Sequence, residues 1–439
     1  MPGWKAAKAR MRINEDEKIM PASNNKITYL DLFAGAGGLS EGFVSAGYQP
    51  IAHVEMDADA CNTLRTRECF YFLKATGQEH KYYEYLRKNI SRDQLYKMVP
   101  DGILDSVICE TMSNESMASV FEKIDSSMKV RNEEKIDLII GGPPCQAYSN
   151  VGRARTNMDE DPRNTLYELY FQAIEKYNPE MFVFENVPGL LTAGKGRYLR
   201  EIISGFRSRG YELHYEILNA ADYGVLQNRR RIILIGWKKG TLHYYPEIEN
   251  KEQAYLVADM LEDLPALEPG EENNQYAKQT INQYLRISGI RNPNDVLTWH
   301  IARTNLDRDR EIYRLAIRLW QDEHKRLKYT DIPCELVTHT NTTSFLDRFK
   351  VVAADLPATH TMVAHISKDG HYYIHPDIKQ ARSISVREAA RIQSFPDNFF
   401  FEGSRTSAFK QIGNAVPPLL ANTIADALLE QLGGNENGQ

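Results

Sequence analysis

Ile136-Asp137-Leu138-Ile139-Ile140-Gly141-Gly142-Pro143-Pro144-Cys145-Gln146 reads as a buried strand that stops in a stiff loop carrying one thiol. The two glycines let the backbone pass close to another group. The two prolines fix φ and remove two backbone donors, so the loop has few alternative shapes. A thiol held at the carboxyl end of a strand sits where an open α/β sheet carries its chemistry.

Working outward, apolar β-branched runs alternate with helical patterns from Lys26 to Lys239. Strands are expected at 27–32, 49–55, 136–140, 180–185, 212–218 and 231–237. Between them, Leu166, Leu169, Tyr170, Ala173, Ile174 and Tyr177 share one face of a 3.6-residue period, as do Leu199, Ile202, Ile203 and Phe206. This alternation predicts an α/β fold, a mostly parallel sheet with helices on both faces. The stretch 70–104 lacks clean alternation and reads as a helical insertion. After Lys239 the chain becomes rich in Pro, Glu and Asn over 245–295, followed by a helix expected at 308–327. Polar segments rich in Thr and His follow at 338–344 and 359–365. Helical character returns where Ser385 caps 386–392, and again in the stripe Leu420, Ile424, Leu428 and Leu432, which ends at Gly433-Gly434.

The 439 residues suffice for two or three domains. No run of eighteen apolar residues exists, so no membrane-spanning helix is expected. Met1 to Asn25 has mixed charge and no apolar core of a secretory signal, and reads as a flexible arm. The cysteines at 61, 69, 109, 145 and 334 are odd in number and contain no Cys-x-x-Cys pair. This argues against a disulfide framework and a structural metal site, and for the cell interior. A net charge of −6 excludes a uniformly basic surface but not a basic cleft. Gln227-Asn228-Arg229-Arg230-Arg231 and the Arg/Lys-rich 286–350 are locally basic.

Five further motifs stand out. Asp31-Leu32-Phe33-Ala34-Gly35-Ala36-Gly37-Gly38 joins a strand to a helix, and its glycines allow close approach of a ligand to the helix N-terminus. Glu55 ends the second strand about twenty residues later, where nucleotide-binding α/β folds hold a ribose-binding carboxylate. Together they point to a cofactor carrying an adenosine. Glu185 follows the apolar Met181 to Phe184, and desolvation there would favour a protonated acid able to donate to a bound base. Arg229 and Arg231 share a face if extended, and guanidinium suits carbonyl and phosphate recognition. Gly413-Asn414-Ala415-Val416-Pro417-Pro418 opens the last helix.

In order and content these blocks resemble the DNA (cytosine-5) methyltransferases, from Asp31 to Pro418. The resemblance omits the N-terminal arm, the insertion and about 240–380. It implies a Rossmann-like, S-adenosylmethionine-dependent methyltransferase sheet with a smaller, mixed target-recognition domain. The implied plan is an arm at 1–25, a catalytic domain at 26–240, a target-recognition domain at 241–385, and a segment at 386–439 returning to the catalytic domain. Phe33, Ala34, Gly35, Gly37 and Gly38 match the S-adenosyl-L-methionine loop, and Glu55 the ribose ligand. Met56 stands where the family usually stacks an aromatic on adenine. Glu110, after Val107-Ile108-Cys109, matches the acid that accepts from the adenine amine, with Glu for the commoner Asp. Pro144 matches a residue that lines the cofactor, and Asp161-Pro162-Arg163-x-x-Leu166 resembles the block whose leucine touches the adenosine. Cys145 matches the nucleophile, Glu185 the carboxylate that engages the cytosine, and Arg229 and Arg231 the basic pair near the nucleophile. The block from Arg387 to Asp397 supports the recognition domain. Asn414 and Val416 return to the cofactor pocket, in an order without circular permutation.

The resemblance further implies a monomer acting on double-stranded DNA in a prokaryotic cytoplasm, with a restriction endonuclease as a functional partner. A tRNA-methylating relative shares the catalytic blocks, but such enzymes carry a Cys-Phe-Thr tripeptide that this chain lacks. An inactive DNA-binding relative would have lost the Cys, Glu or Arg of the motifs, and all are intact. A small-molecule methyltransferase would not need the long 240–380 segment. Thr338 to Ser344 and Arg348 are candidates for DNA contact, since polar segments suit groove readout. Exchanging 241–385 for the matching segment of a relative of different specificity should move methylation to the relative's site. Bisulfite sequencing reads the outcome, and a folded, active chimera that keeps the original site would locate recognition elsewhere.

Overall fold

A computed structural model of the chain describes residues 26–144, 166–251, 254–338 and 346–433. The arm at 1–25, Cys145, the Asp161-Pro162-Arg163 run and 339–344 lie outside the described residues. Seven strands form one sheet: β1 (Thr28–Leu32), β2 (Gln49–Glu55), β3 (Val107–Cys109), β4 (Leu138–Gly141), β5 (Met181–Asn186), β6 (Tyr211–Asn219) and β7 (Arg230–Lys238). Their spatial order is β3-β2-β1-β4-β5-β7-β6. The pairs from β3 to β5 are parallel, whereas β7 runs antiparallel to both β5 and β6. The mostly parallel expectation therefore stops at β5. No helix of crossover length separates β6 from β7, so the chain returns antiparallel.

Helices α1 (Gly38–Ser45), α2 (Ala58–Ala75), α3 (Glu79–Leu86), α4 (Arg92–Tyr96), α5 (Asp101–Asp105), α6 (Met117–Arg131), α7 (Leu166–Tyr177) and α8 (Arg197–Ser208) accompany the sheet. They are followed by α9 (Ala258–Leu261), α10 (Gln283–Ile287), α11 (Asp307–Glu323), α12 (Val386–Ile392), α13 (Arg405–Asn414) and α14 (Pro418–Gly433). One face of the sheet packs on α6, α7 and α8 through residues such as Val120, Tyr170 and Phe206. The other packs on α1 and α14 through Phe43, Leu420, Ile424 and Leu428, which is why the stripe in the C-terminal helix is apolar. Helix α11 stops at Glu323, four residues short of the expected end, because His324 turns left-handed at φ 53°.

β1 and β4 are neighbours whose connections leave toward opposite sides, to β2 and to β5. The order of strands reverses between them, and ligands of open α/β sheets bind at such a point. The loop of residues 33–37 leaves β1 and the loop carrying the thiol leaves β4, so the fold brings both motifs to one crevice.

A second core joins 257–290, 352–373 and 384–415 through Met260, Leu285, Met362, Ile384, Ile392, Phe399 and Ile412. Helix α12 starts with a capping box in which Ser385 and Glu388 satisfy each other's backbone N–H. The segment after 386 thus divides: α12 and α13 contribute to the second core, and α14 to the sheet. The helical insertion braces the two bodies. Tyr82 Oη donates to Asn398 O at 2.8 Å, Tyr83 Oη to Asp295 at 3.1 Å and Tyr85 Oη to Glu402 at 2.7 Å.

Charges hold the second core in register. Arg391 is fully buried and meets Asp263 at 2.5 Å and Asp397 at 2.6 Å, and Arg291 also reaches Asp263 at 2.5 Å. Removing one member leaves an uncompensated buried charge. Arg391→Ala should therefore destabilise the protein by about 3–5 kcal/mol, read from the shift in urea unfolding midpoint at unchanged slope. A change under about 1 kcal/mol would show that the site relaxes to admit water.

Candidate active site and cofactor crevice

The thiol loop is shaped by its neighbours. A side chain at Gly141 would strike the carbonyl of Leu32 in β1. A Cβ at Gly142 would lie 2.6 Å from Glu185 Oε2, so only glycine lets the loop pass that carboxylate. Asn186 Nδ2 donates to Pro143 O at 3.2 Å and fixes the far side of the turn. Pro144 is exposed at the end of the described stretch, one residue before Cys145.

Glu185 sits in β5 and Arg231 in the adjacent β7, with Arg231 Nε 2.6 Å from Glu185 Oε1. The expected apolar isolation of Glu185 does not hold, because the antiparallel β7 delivers a guanidinium to it. Burial disfavours the charge of Arg231, and Glu185 counteracts that. The pair presents a carboxylate acceptor beside guanidinium donors at the edge of the crevice, a set that matches the polar edge of a nucleobase.

Arg229 shares the face of Arg231 but does a different job. It is completely buried, and its guanidinium donates to the carbonyls of Met362 and, at 3.1 Å, Gly413. It makes no ion pair with Glu185, which acts on it only electrostatically. Of the expected basic pair, Arg231 alone thus pairs with Glu185. Arg229 is a positioning residue, because the extended backbone that aligns the two side chains also points 229 into the junction with 359–365.

On the other side of the crevice the loop after β1 holds three left-handed residues, Phe33 (φ 57°), Gly35 (φ 56°) and Gly37 (φ 83°). Phe33 is a non-glycine in this region and packs partly on the sheet core. Ala34 N donates to Val54 O at 3.1 Å, and Gly35 N to Glu55 Oε2 at 2.8 Å. Glu55 Oε1 accepts from the backbones of Met56 and Asp57, both at 2.8 Å. This carboxylate is therefore fixed by three N–H groups and retains lone pairs for further donors. Met56 is 64 % exposed beside it. Glu110 N donates to Glu55 O at 2.9 Å, which brings Glu110 alongside, its carboxylate 2.5 Å from Lys123 Nζ. Leu166 begins α7 against the sheet core, and Asn414 is exposed at the end of α13. A Cβ on Gly38 would strike the carbonyl of Val416, so the C-terminal block lies directly on the glycine loop.

An S-adenosyl group fits this side. An added Cβ at Gly35 meets nothing within 4 Å, leaving an open cradle beside a hydrogen-bonding carboxylate and an exposed thioether. The close approach expected of the doubled glycine occurs at Gly142, and the group it passes is the Glu185 carboxylate. Gln227 and Gln393 stand in quoted motifs without an expected role; they bond each other at 2.6 Å and tie Met362 N and Ala415 O to the same junction. His53 was missed too; a histidine within an apolar strand was its only sign.

This fold defines an open α/β sheet in which the loops after β1 and β4 leave adjacent strands. The family model of C-5 cytosine-specific DNA methylases matches residues 27–128 and 97–430. Type II methyltransferase M.Bpa9945I of Bacillus paralicheniformis is 40 % identical, over 92 % of this chain and 99 % of its own length. Type II methyltransferase M.XorII of Xanthomonas oryzae is 32 % identical, over 92 % of this chain and 84 % of its own. A solved structure of a putative DNA modification methyltransferase encoded within a prophage of E. coli superposes with TM-score 0.61. It is 22 % identical and covers 93 % of this chain and all of its own, which speaks for the fold alone. The chain belongs to the C-5 cytosine-specific DNA methylase family. It is a site-specific DNA cytosine-5 methyltransferase. Among the described residues, no helix is long and apolar enough to cross a membrane.

Glu55→Ala should weaken S-adenosylmethionine binding by roughly 1.5–3 kcal/mol, the scale of a charged hydrogen bond. DNA affinity without cofactor should stay unchanged. Calorimetry that finds the cofactor affinity of the variant intact would remove Glu55 from the ribose role.

Proposed function

We propose that the Glu185–Arg231 pair receives a cytosine flipped out of duplex DNA and that Cys145 attacks its C6. The observation that carries this reading is the 2.6 Å ion pair beside a glycine that lets the thiol loop pass the carboxylate. A base inside a duplex cannot reach such a crevice, so it must leave the stack. C5 of cytosine is a poor nucleophile. Addition of the Cys145 thiolate at C6 makes C5 enamine-like, with the ring charge drawn toward N3 and O2. A proton shared between Glu185 and N3 lets the carboxyl bond N3 while its other oxygen accepts from the exocyclic amine, and Arg231 donates to O2, so both stabilise charge that grows during the attack. The same guanidinium favours the thiolate. Bound S-adenosylmethionine supplies the methyl electrophile. Glu55, the glycine loop and Val416 would hold its adenosine end, and Met56, Glu110 and Leu166 would line the adenine. Phe33, Ala34 and Pro144 would line the same pocket. A base, for which a water suffices, then removes the C5 proton, and the C6–S bond breaks to return the free thiol.

Residues 26–240 and α14 supply the chemistry, and 241–385, resting on α12 and α13, reads the target sequence. Arg348, stacked on Tyr329 at 4.2 Å, belongs to that reading surface. Phosphate contacts from the basic residues of 286–350 make binding strongly salt-dependent. The names of the Type II relatives support a role in restriction–modification, with an endonuclease as a functional companion.

Cys145→Ser should abolish methyl transfer and leave cofactor affinity within about twofold, because the thiol attacks the base and does not hold the cofactor. An alcohol has too high a pKa to supply the anion at neutral pH. Turnover of the serine variant near that of the wild type, in a tritium-transfer assay, would sink the assignment.

A further inference from the structure

Behind the glycine loop lies a buried chain of charges that the chemistry above does not use. His53 stands opposite Asp31 in the β1–β2 ladder. Its Nδ1 is 3.3 Å from Asp31 Oδ2 and its Nε2 is 3.4 Å from Glu68 Oε1. Glu68, from α2, meets Arg131 of α6 at 3.3 Å, and Arg131 also reaches Ser106 Oγ. The edge of the Tyr29 ring faces the imidazole from β1. Ser40 and Glu41 of α1 and Arg67 and Tyr71 of α2 line a void of about 10 Å³ that His53 also borders. His53, Asp31 and Glu68 are all nearly inaccessible.

Two carboxylates on the two ring nitrogens require both nitrogens to donate. Burial by itself would push the imidazole pKa down, but the hydrogen bonds and charges of Asp31 and Glu68 outweigh it and lift the value to about 9. Alternating charges then run Asp31, His53, Glu68, Arg131. Side chains 53 and 55 point to the same side of β2 and hold the end of β1 and the loop that follows it, one at Asp31 and the other at Gly35. Asp31 is two residues before the left-handed Phe33 and has a second carboxylate oxygen without a partner, so His53 is its one side-chain anchor among the described residues.

We propose that His53 is a positioning residue for cofactor binding, a doubly donating cation that fixes Asp31 and thereby the departure of the 33–38 loop from β1. The inference rests on the reading of that loop and Glu55 as the cofactor site. It acts without touching the cofactor, so its effect falls on cofactor affinity and not on DNA affinity. The sign with pH follows: the anchor is complete below the ordinary histidine range and is lost as pH rises through about 9.

The test uses the full-length protein and S-adenosylhomocysteine titrated by calorimetry from neutral pH to about pH 10. His53→Gln, which cannot donate to both carboxylates, should weaken binding about tenfold at neutral pH and leave DNA affinity unchanged. Wild type should lose affinity above about pH 9, and the variant should show no such limb. Glu68→Gln, outside the residues assigned to the cofactor, should weaken binding about threefold through His53, and is read in place of the first variant if that one does not fold. Glu55→Ala is the control for the site itself. If it leaves cofactor binding intact, the cofactor-site reading fails. If it weakens binding while His53→Gln, or Glu68→Gln in its place, binds like wild type with an unchanged alkaline limb, the role of His53 is overturned.

Discussion

The guanidinium of Arg229 is the constraint on which the arrangement of the whole molecule depends. It has no exposed surface, and it bonds two main-chain carbonyls from segments more than a hundred residues downstream, at Met362 and Gly413. Burying a cation costs several kcal/mol unless polar groups replace its water. The carbonyls do this in part, and Glu185 offsets the repulsion from Arg231. The sheet, the segment that follows 359 and the C-terminal helices are thereby held to one relative position. Gln227 and Gln393 extend the same junction with neutral amides. Polar bonds of this kind are directional, and a slip of one residue would leave several buried donors unsatisfied.

Because that junction is fixed, the crevice can be built from pieces remote in sequence. β5 provides Glu185, β7 provides Arg231, the β4 loop passes both, and Val416 comes back to lie on Gly38. Two of these approaches are permitted by a glycine: a Cβ would strike the Val416 carbonyl at Gly38 and the Glu185 carboxylate at Gly142. The glycines at 38 and 142 are steric necessities of the tertiary structure, whereas those at 35 and 37 serve left-handed backbone. The helical insertion adds a brace on the opposite flank, where a row of tyrosines reaches the 395–402 turn. That gives the stretch without clean periodicity a structural reason: its apolar residues serve a local cluster with Val296 and Phe400 and not the sheet.

The sequence by itself determined the strands, the helix faces and the identity of the chemical groups. Alternation and period are local properties, and the apolar runs from β1 to β7 had to be buried wherever they ended up. The Gly-Gly-Pro-Pro-Cys loop, the glycine loop and Glu55 were legible because each needs an unusual residue type at a fixed distance from a strand end. Only β3 was short enough to be seen through its motif and not its pattern. The tertiary structure alone decided which of two equivalent-looking arginines faces the crevice, since the answer lies in what stands opposite them. It decided that Glu185 has a cationic partner, that His53 lies between two carboxylates and that α12 and α14 serve different cores. These are facts about pairs of residues far apart along the chain. Local periodicity carries no term for such pairs, and their energies are set only when folding brings them within a few ångströms in a medium that screens charge weakly.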